Sequence, residues 1–154
     1  MTETSGRCLV LCIGHPDRGD DAAGRAVARR LNGTLPAGVT LVEEDGDALS
    51  ILVRLEGVQT AFLVDACVSG APAGTIRRLD VSRAPLPKDA FGISTHGLGV
   101  VEAIEIARTV GRLPHRCVIY AIEGASFEIG EPLSPGVAQA VEEVVGCLRT
   151  ELEG

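Results

Sequence analysis

The sequence predicts an α/β fold, a three-layer sandwich with a mostly parallel, twisted sheet of about five strands, one antiparallel edge strand and helices on both faces. Three observations carry this expectation. Cys8 to Ile13 is an unbroken apolar run, the mark of a strand buried on both faces. It breaks into a glycine-bounded turn, Gly14-His15-Pro16-Asp17-Arg18-Gly19-Asp20-Asp21, that leads into a helical pattern, and the alternation of strand, turn and helix then recurs along the chain. The apolar share of 45% is built from Val, Ala, Leu and Ile with no Trp, one Tyr and three Phe, which suits packed parallel strands better than a platform for stacking bases. A chain of 154 residues encloses one core, so residues 1–154 read as a single domain.

The elements follow in order. Ala22 to Leu31 reads as the first helix, with Val27 and Leu31 four apart, and Asn32-Gly33 stops it. Val39 to Val42 is the second strand, ending in Glu43-Glu44-Asp45-Gly46. Leu49, Leu52 and Val53 recur at helical spacing within Ala48 to Leu55, which Glu56-Gly57 closes. Thr60 to Val64 is the third strand, terminating in Asp65. The glycine- and proline-bearing loop from Val68 to Gly74 is too short for a helical crossover, so Thr75 to Leu79 is expected as a charged edge strand antiparallel to the third. Val81 to Ile93 carries Pro85 and Pro87 and reads as a loop. Ser94-Thr95 supplies capping chemistry for a helix from about His96 to Val110. Arg116 to Ile122 is the last parallel strand, Glu123 to Glu131 a loop, and Ser134-Pro135 opens a final helix marked by Val137, Val141, Val144, Val145 and Leu148.

Charge and cysteine usage exclude several classes. A formal charge of -7 argues against nucleic acid and anionic membrane as partners, because both need a cationic footprint. No leader pattern precedes Cys8 and no apolar run approaches the roughly 18 residues of a membrane span, so a cytoplasmic location is expected. Cys8, Cys12, Cys67, Cys117 and Cys147 are odd in number and lack a CxxC pair, which signals neither a disulfide framework nor a zinc knuckle. Cys8, Cys12, Cys117 and Cys147 read as core residues.

Ligands of parallel α/β sheets bind outside the carboxyl ends of the strands. Those ends carry His15 and Asp20-Asp21, then Asp45, Asp65 and Glu123, and the helix N-terminus at His96 belongs to the same rim. Crowded carboxylates repel one another unless a cation sits among them, and their mixture with a histidine suits a borderline divalent metal. A helix N-terminus disfavours the imidazolium, which keeps His96 neutral and able to coordinate. Asp21, Asp65 and His96 are the expected set, leaving coordination positions open for a substrate. Plainer readings stand beside each: Asp20 as the N-cap of the first helix, His96 as a capping residue, Asp65 as the cap of a turn, His15, His115 and Glu123 as loop residues, and Cys67 as a structural thiol beside a carboxylate.

Taken together these pieces resemble the hydrogenase maturation endopeptidases. The resemblance rests on Gly14 to Gly24 (GHPDRGDDAAG), Val64-Asp65-Ala66, Ser94-Thr95-His96-Gly97-Leu98, and Ile122-Glu123 followed by Leu133-Ser134-Pro135, and it spans residues 8 to 150. It implies an endopeptidase that removes the C-terminal extension of a nickel-iron hydrogenase large-subunit precursor after recognising its inserted nickel. It also implies that Asp21, Asp65 and His96 bind that metal and carry the catalytic role. Nickel is then brought by the substrate, and another divalent metal is an expected substitute in vitro. The chain departs from the family in Gly14-His15, where Gly-Asn is usual, and in Asp45-Gly46-Asp47, where Asp-Gly-Gly is common. Two other readings stay open: a non-catalytic nickel-binding assembly factor for the same precursor, and a nucleotide-binding module. The second lacks GxGxxG and sets Asp20-Asp21 where a pyrophosphate would dock.

Overall fold

The computed structural model describes residues 7–87 and 98–153. A five-stranded sheet is formed by β1 (Cys8–Ile13), β2 (Val39–Glu44), β3 (Thr60–Cys67), β4 (Ile76–Asp80) and β5 (Arg116–Glu123), in the order β2-β1-β3-β5-β4. All pairs are parallel except β4 with β5. Around it pack α1 (Ala23–Leu31), α2 (Ala48–Leu55), α3 (Leu98–Thr109) and α4 (Pro135–Glu153), with a 3-10 turn over Gly19–Ala22 leading into α1.

Strand alternation divides the core into two layers. Leu9, Leu11 and Ile13 of β1, with Leu63 of β3 and Ile119 of β5, face Ile51 and Leu55 of α2 and Val100 and Ile104 of α3. Val10 and Cys12, with Phe62, Val64, Val118 and Ile122, face Val27 and Leu31 of α1 and Val141, Val144 and Leu148 of α4. This is the expected three-layer sandwich. The central strands β1, β3 and β5 are buried on both faces, whereas β2 and β4 at the edges are half-exposed, β4 presenting Arg77 and Arg78. No described helix is long and apolar enough to cross a membrane.

Three details differ from the sequence reading. The edge strand β4 runs antiparallel to the parallel strands as expected, but it pairs with β5 and not with β3. Both edges of β3 are occupied, by β1 and by β5, and the β3–β4 loop is carried across the end of β5 by bonds from Gly74 N–H to the Glu123 carbonyl and from Glu123 N–H to the Thr75 carbonyl, each 2.8 Å. The ladder between β3 and β5 continues through Asp65, Ala66 and Cys67, so Asp65 lies inside the strand. Cys147 is exposed, seven residues after Ala140 and thus at the margin of the buried stripe of α4; Cys8 is only half-buried, while Cys12 and Cys117 are core residues as expected.

The site depends on how closely α1 approaches the sheet. A β-carbon on Gly24 would collide with the Ile13 carbonyl oxygen and stand 2.9 Å from both Ile13 N and the Val64 carbonyl oxygen. Only glycine lets the helix seat over the ends of β1 and β3. Gly24→Ala is therefore expected to cost roughly 1–3 kcal/mol by overpacking, visible as a fall of several degrees in thermal midpoint; an unchanged midpoint contradicts this packing.

Candidate functional site

The strand order changes direction between β1 and β3: the chain leaves β1 for β2 on one side and returns to β3 on the other. Such a switch point leaves a crevice at the carboxyl ends of the two strands. Pairing of β1 with β3 stops at Cys12 and Val64, one residue before Asp65. A cleft of about 270 Å³ opens there, walled by Gly14, His15, Arg18, Asp21, Gly46 and Asp65. A larger hollow of about 510 Å³ lies at the opposite end of the sheet, where Cys8, Val39, Thr60 and Arg116 begin their strands, and it holds none of the convergent carboxylates.

The turn after β1 is built to fold back on itself. Gly14 has a φ of 143°, and a β-carbon there would collide with the Asp21 carbonyl oxygen. His15 N–H donates to Asp21 Oδ2 at 3.0 Å, and Asp21 N–H donates to the Arg18 carbonyl at 3.0 Å. Arg25 of α1 braces the same turn from outside, donating through Nε to the Gly14 carbonyl at 2.7 Å and pairing with Asp45 at 2.6 Å. Asp45 is exposed and is engaged by this brace.

Adjacent carboxylates take opposite tasks. Asp20 does not cap the first helix, as the sequence suggested: neither the 3-10 turn nor α1 has a side-chain cap bond. Its fully buried carboxylate instead accepts Ala125 N–H at 2.7 Å, Ser126 N–H at 3.0 Å, and both the amide and the hydroxyl of Ser134 at 2.7 Å. Burial alone would raise its pKa, and these bonds outweigh burial and hold it below the ordinary carboxylate value. The shape of the turn aims the neighbouring Asp21 into the cleft.

Asp65 is buried in that cleft and is electrically coupled to Asp21. Its Oδ1 accepts the Ala66 amide at 2.8 Å, while its Oδ2 has no hydrogen-bond partner. Burial first, and the charge of Asp21 second, push its pKa well above the ordinary value. A buried carboxylate oxygen without a donor, beside a second carboxylate, is the donor chemistry that a divalent cation satisfies. His96 lies outside the described residues, and among the described residues no three His, Cys, Asp or Glu side chains cluster as a metal site. The helix that follows His96 begins against the cleft wall: a β-carbon on Gly99 would collide with the Gly46 carbonyl oxygen.

The remaining candidates have structural tasks. Glu123 is buried at the end of β5 and accepts Ser69 N–H at 2.9 Å and Ser69 Oγ at 2.6 Å, fastening the β3–β4 loop. Cys67 lies beside it, and burial, with Glu123 next and Asp65 also contributing, pushes its thiol up to about 12, the opposite of an activated nucleophile. His15 is exposed, and its Nδ1 accepts Asp17 N–H at 3.1 Å. Asp47, where the resembled family commonly has glycine, caps α2 by accepting Ser50 N–H at 3.0 Å. The sequence reading missed Arg18, whose Nε is buried without a partner; one arginine among fourteen basic residues gave no signal by spacing.

These environments give two opposed expectations. Asp20→Asn should destabilise the protein by roughly 2–4 kcal/mol at neutral pH. Because the Asp20 pKa is lowered on folding, its contribution is present above the ordinary carboxylate value and is lost as the pH falls through its folded pKa. The gap to wild type in thermal or denaturant unfolding should therefore narrow in acid. The Asp65 pKa is raised, so ionisation opposes folding and wild type loses stability as pH rises above the ordinary carboxylate range. Asp65→Asn should unfold at a higher temperature than wild type at neutral pH in chelator, with no gain in acid. A destabilised Asp65→Asn at neutral pH would show the cleft carboxylate to be structural.

A family model for hydrogenase maturation proteases matches residues 26–151. The chain is 29% identical over 149 residues to the hydrogenase expression/formation protein HupD of Rhodobacter capsulatus, covering 95% of this chain and 71% of that protein. With HupD of Thiocapsa roseopersicina it shares 26% over 145 residues, covering 87% of this chain and 66% of that one. Its backbone matches the hydrogenase maturating endopeptidase HybD of E. coli with a TM-score of 0.75 at 25% identity, over 94% of this chain and 93% of HybD. It matches the HycI maturation protease of Thermococcus kodakarensis with a TM-score of 0.71 at 24% identity, over 97% and 94%. The polar cleft thus sits in a chain whose sequence and backbone match one family over most of its length: it belongs to the hydrogenase maturation proteases.

Proposed function

We propose that this protein is an endopeptidase that removes the C-terminal extension from a nickel-iron hydrogenase large-subunit precursor once nickel has been inserted, and that Asp21, Asp65 and His96 engage that nickel. The observation that carries the reading is the unpartnered Oδ2 of Asp65, buried at the β1/β3 switch point beside Asp21. The start of α3 against Gly46 supports the inclusion of His96, which lies just upstream in the chain. A cytoplasmic location belongs to the same reading.

The electrostatics give the substrate metal a specific task. Without a cation, burial and the neighbouring charge of Asp21 disfavour the ionised form of Asp65. Nickel carried in by the precursor would offset that penalty, and Asp65 Oδ2 would be the oxygen that holds it. A precursor lacking nickel gains no such contact, so recognition depends on metal insertion. The bound metal fixes the adjacent peptide and polarises its carbonyl or a water. Water then adds to the carbonyl carbon, the C–N bond breaks, and the leaving amine takes up a proton. Cys67, with its thiol held neutral, takes no part.

Mass spectrometry of an extended precursor, nickel-loaded or nickel-free, tests this directly. Wild-type protein should release the tail only from the loaded form. Asp21→Ala, Asp65→Ala and His96→Ala should each slow release by about a hundredfold or more, a loss of several kcal/mol of polarisation and positioning. Cys67→Ala should cleave normally. A precursor that binds and stays intact with wild-type protein would identify a holding factor, and loss of cleavage in a folded, precursor-binding Cys67→Ala would overturn the metal-directed scheme.

A further inference from the structure

We propose that Arg18 anchors the substrate peptide in the cleft by donating from its guanidinium to a main-chain carbonyl oxygen beside the cut, an inference that rests on the endopeptidase reading. Arg18 lies in the turn between β1 and the 3-10 segment, and its backbone is fixed on both sides: its N–H donates to the His15 carbonyl at 3.5 Å and its carbonyl accepts Asp21 N–H at 3.0 Å. Its side chain lines the same cleft as Asp21 and Asp65. Its Nε is buried without a hydrogen-bond partner, and among the described residues its guanidinium forms no ion pair. Arg25, a few residues along, shows the contrast, being tied to the Gly14 carbonyl, Glu43 and Asp45. A buried donor left open is costly unless something completes it.

The cleft therefore presents two incomplete groups of opposite sense, an acceptor at Asp65 Oδ2 and a donor at Arg18 Nε. A metal cation completes the first and cannot complete the second, which needs an oxygen. A peptide supplies one in every carbonyl. A neutral carbonyl suits the position better than a carboxylate, because Asp21 and Asp65 share the cleft and repel a further negative charge. The guanidinium plane also fixes the direction of the accepted oxygen, which an ammonium does not.

The test is steady-state cleavage of nickel-loaded precursor by the full chain carrying Arg18→Gln or Arg18→Lys, with thermal unfolding measured alongside. Arg18→Gln should raise KM roughly ten- to a hundredfold, the scale of one charge-assisted hydrogen bond. It should leave the unfolding temperature unchanged and regain affinity when methylguanidinium is added. Arg18→Lys should regain only part, and it carries the test if the glutamine variant does not fold. Precursors with the acidic side chains near the cut neutralised should show the same dependence on Arg18. An unchanged KM, or a lowered unfolding temperature without rescue, would overturn the anchor, and a dependence that vanishes with those acidic side chains would assign the contact to a carboxylate. Wild-type protein that neither binds nor cuts the loaded precursor would instead remove the endopeptidase reading, and the anchor with it.

Discussion

The rest of the site depends on the buried carboxylate of Asp20. Four donors from the loop after β5 and the start of α4 converge on it, so the turn that follows β1 is clamped to the segment that joins β5 to α4. Two neighbouring residues cannot both face that clamp. With Asp20 turned one way, the chain delivers Asp21 and Arg18 to the other side, over the end of β3 where Asp65 waits. The adjacent carboxylates thus face opposite ways, Asp20 into the clamp and Asp21 into the cleft.

The two environments act on stability in opposite senses. Asp20 is satisfied and favours the folded state, whereas Asp65 is buried beside a like charge with one oxygen unpartnered and opposes it. A domain that needed only to fold would place a small apolar residue at position 65, as it does at its neighbours Val64 and Ala66. The rigid frame around this strained spot comes from the close seating of α1 through Gly24 and the Arg25 brace. Glu123, which fastens the β3–β4 loop, gives the neighbouring strand end a second lock of the same kind.

Much of this was legible in the sequence because it is periodic. Buried runs, helical stripes and glycine turns placed the layers, and α2 fell on Ala48–Leu55 as read. The direction of β4 followed from loop length, but its neighbour did not, since only three-dimensional pairing shows that both edges of β3 are taken. The roles of Asp20, Glu123 and Arg18 were hidden for a common reason: their partners, or lack of them, are set by residues more than fifty positions away or by space alone. Cys147 sits near enough to the buried stripe of α4 to mislead a reading by pattern.

The proposed contact joins the cleft carboxylates to the metal carried by the precursor. Nickel-edge X-ray absorption of the loaded precursor, alone and in a rapidly frozen complex with this protein, reads that contact directly. With that contact, nickel gains oxygen or nitrogen neighbours on binding, and the complex with Asp65→Ala lacks one of them. A nickel shell that is identical in the free and the bound precursor, with binding intact, would contradict it.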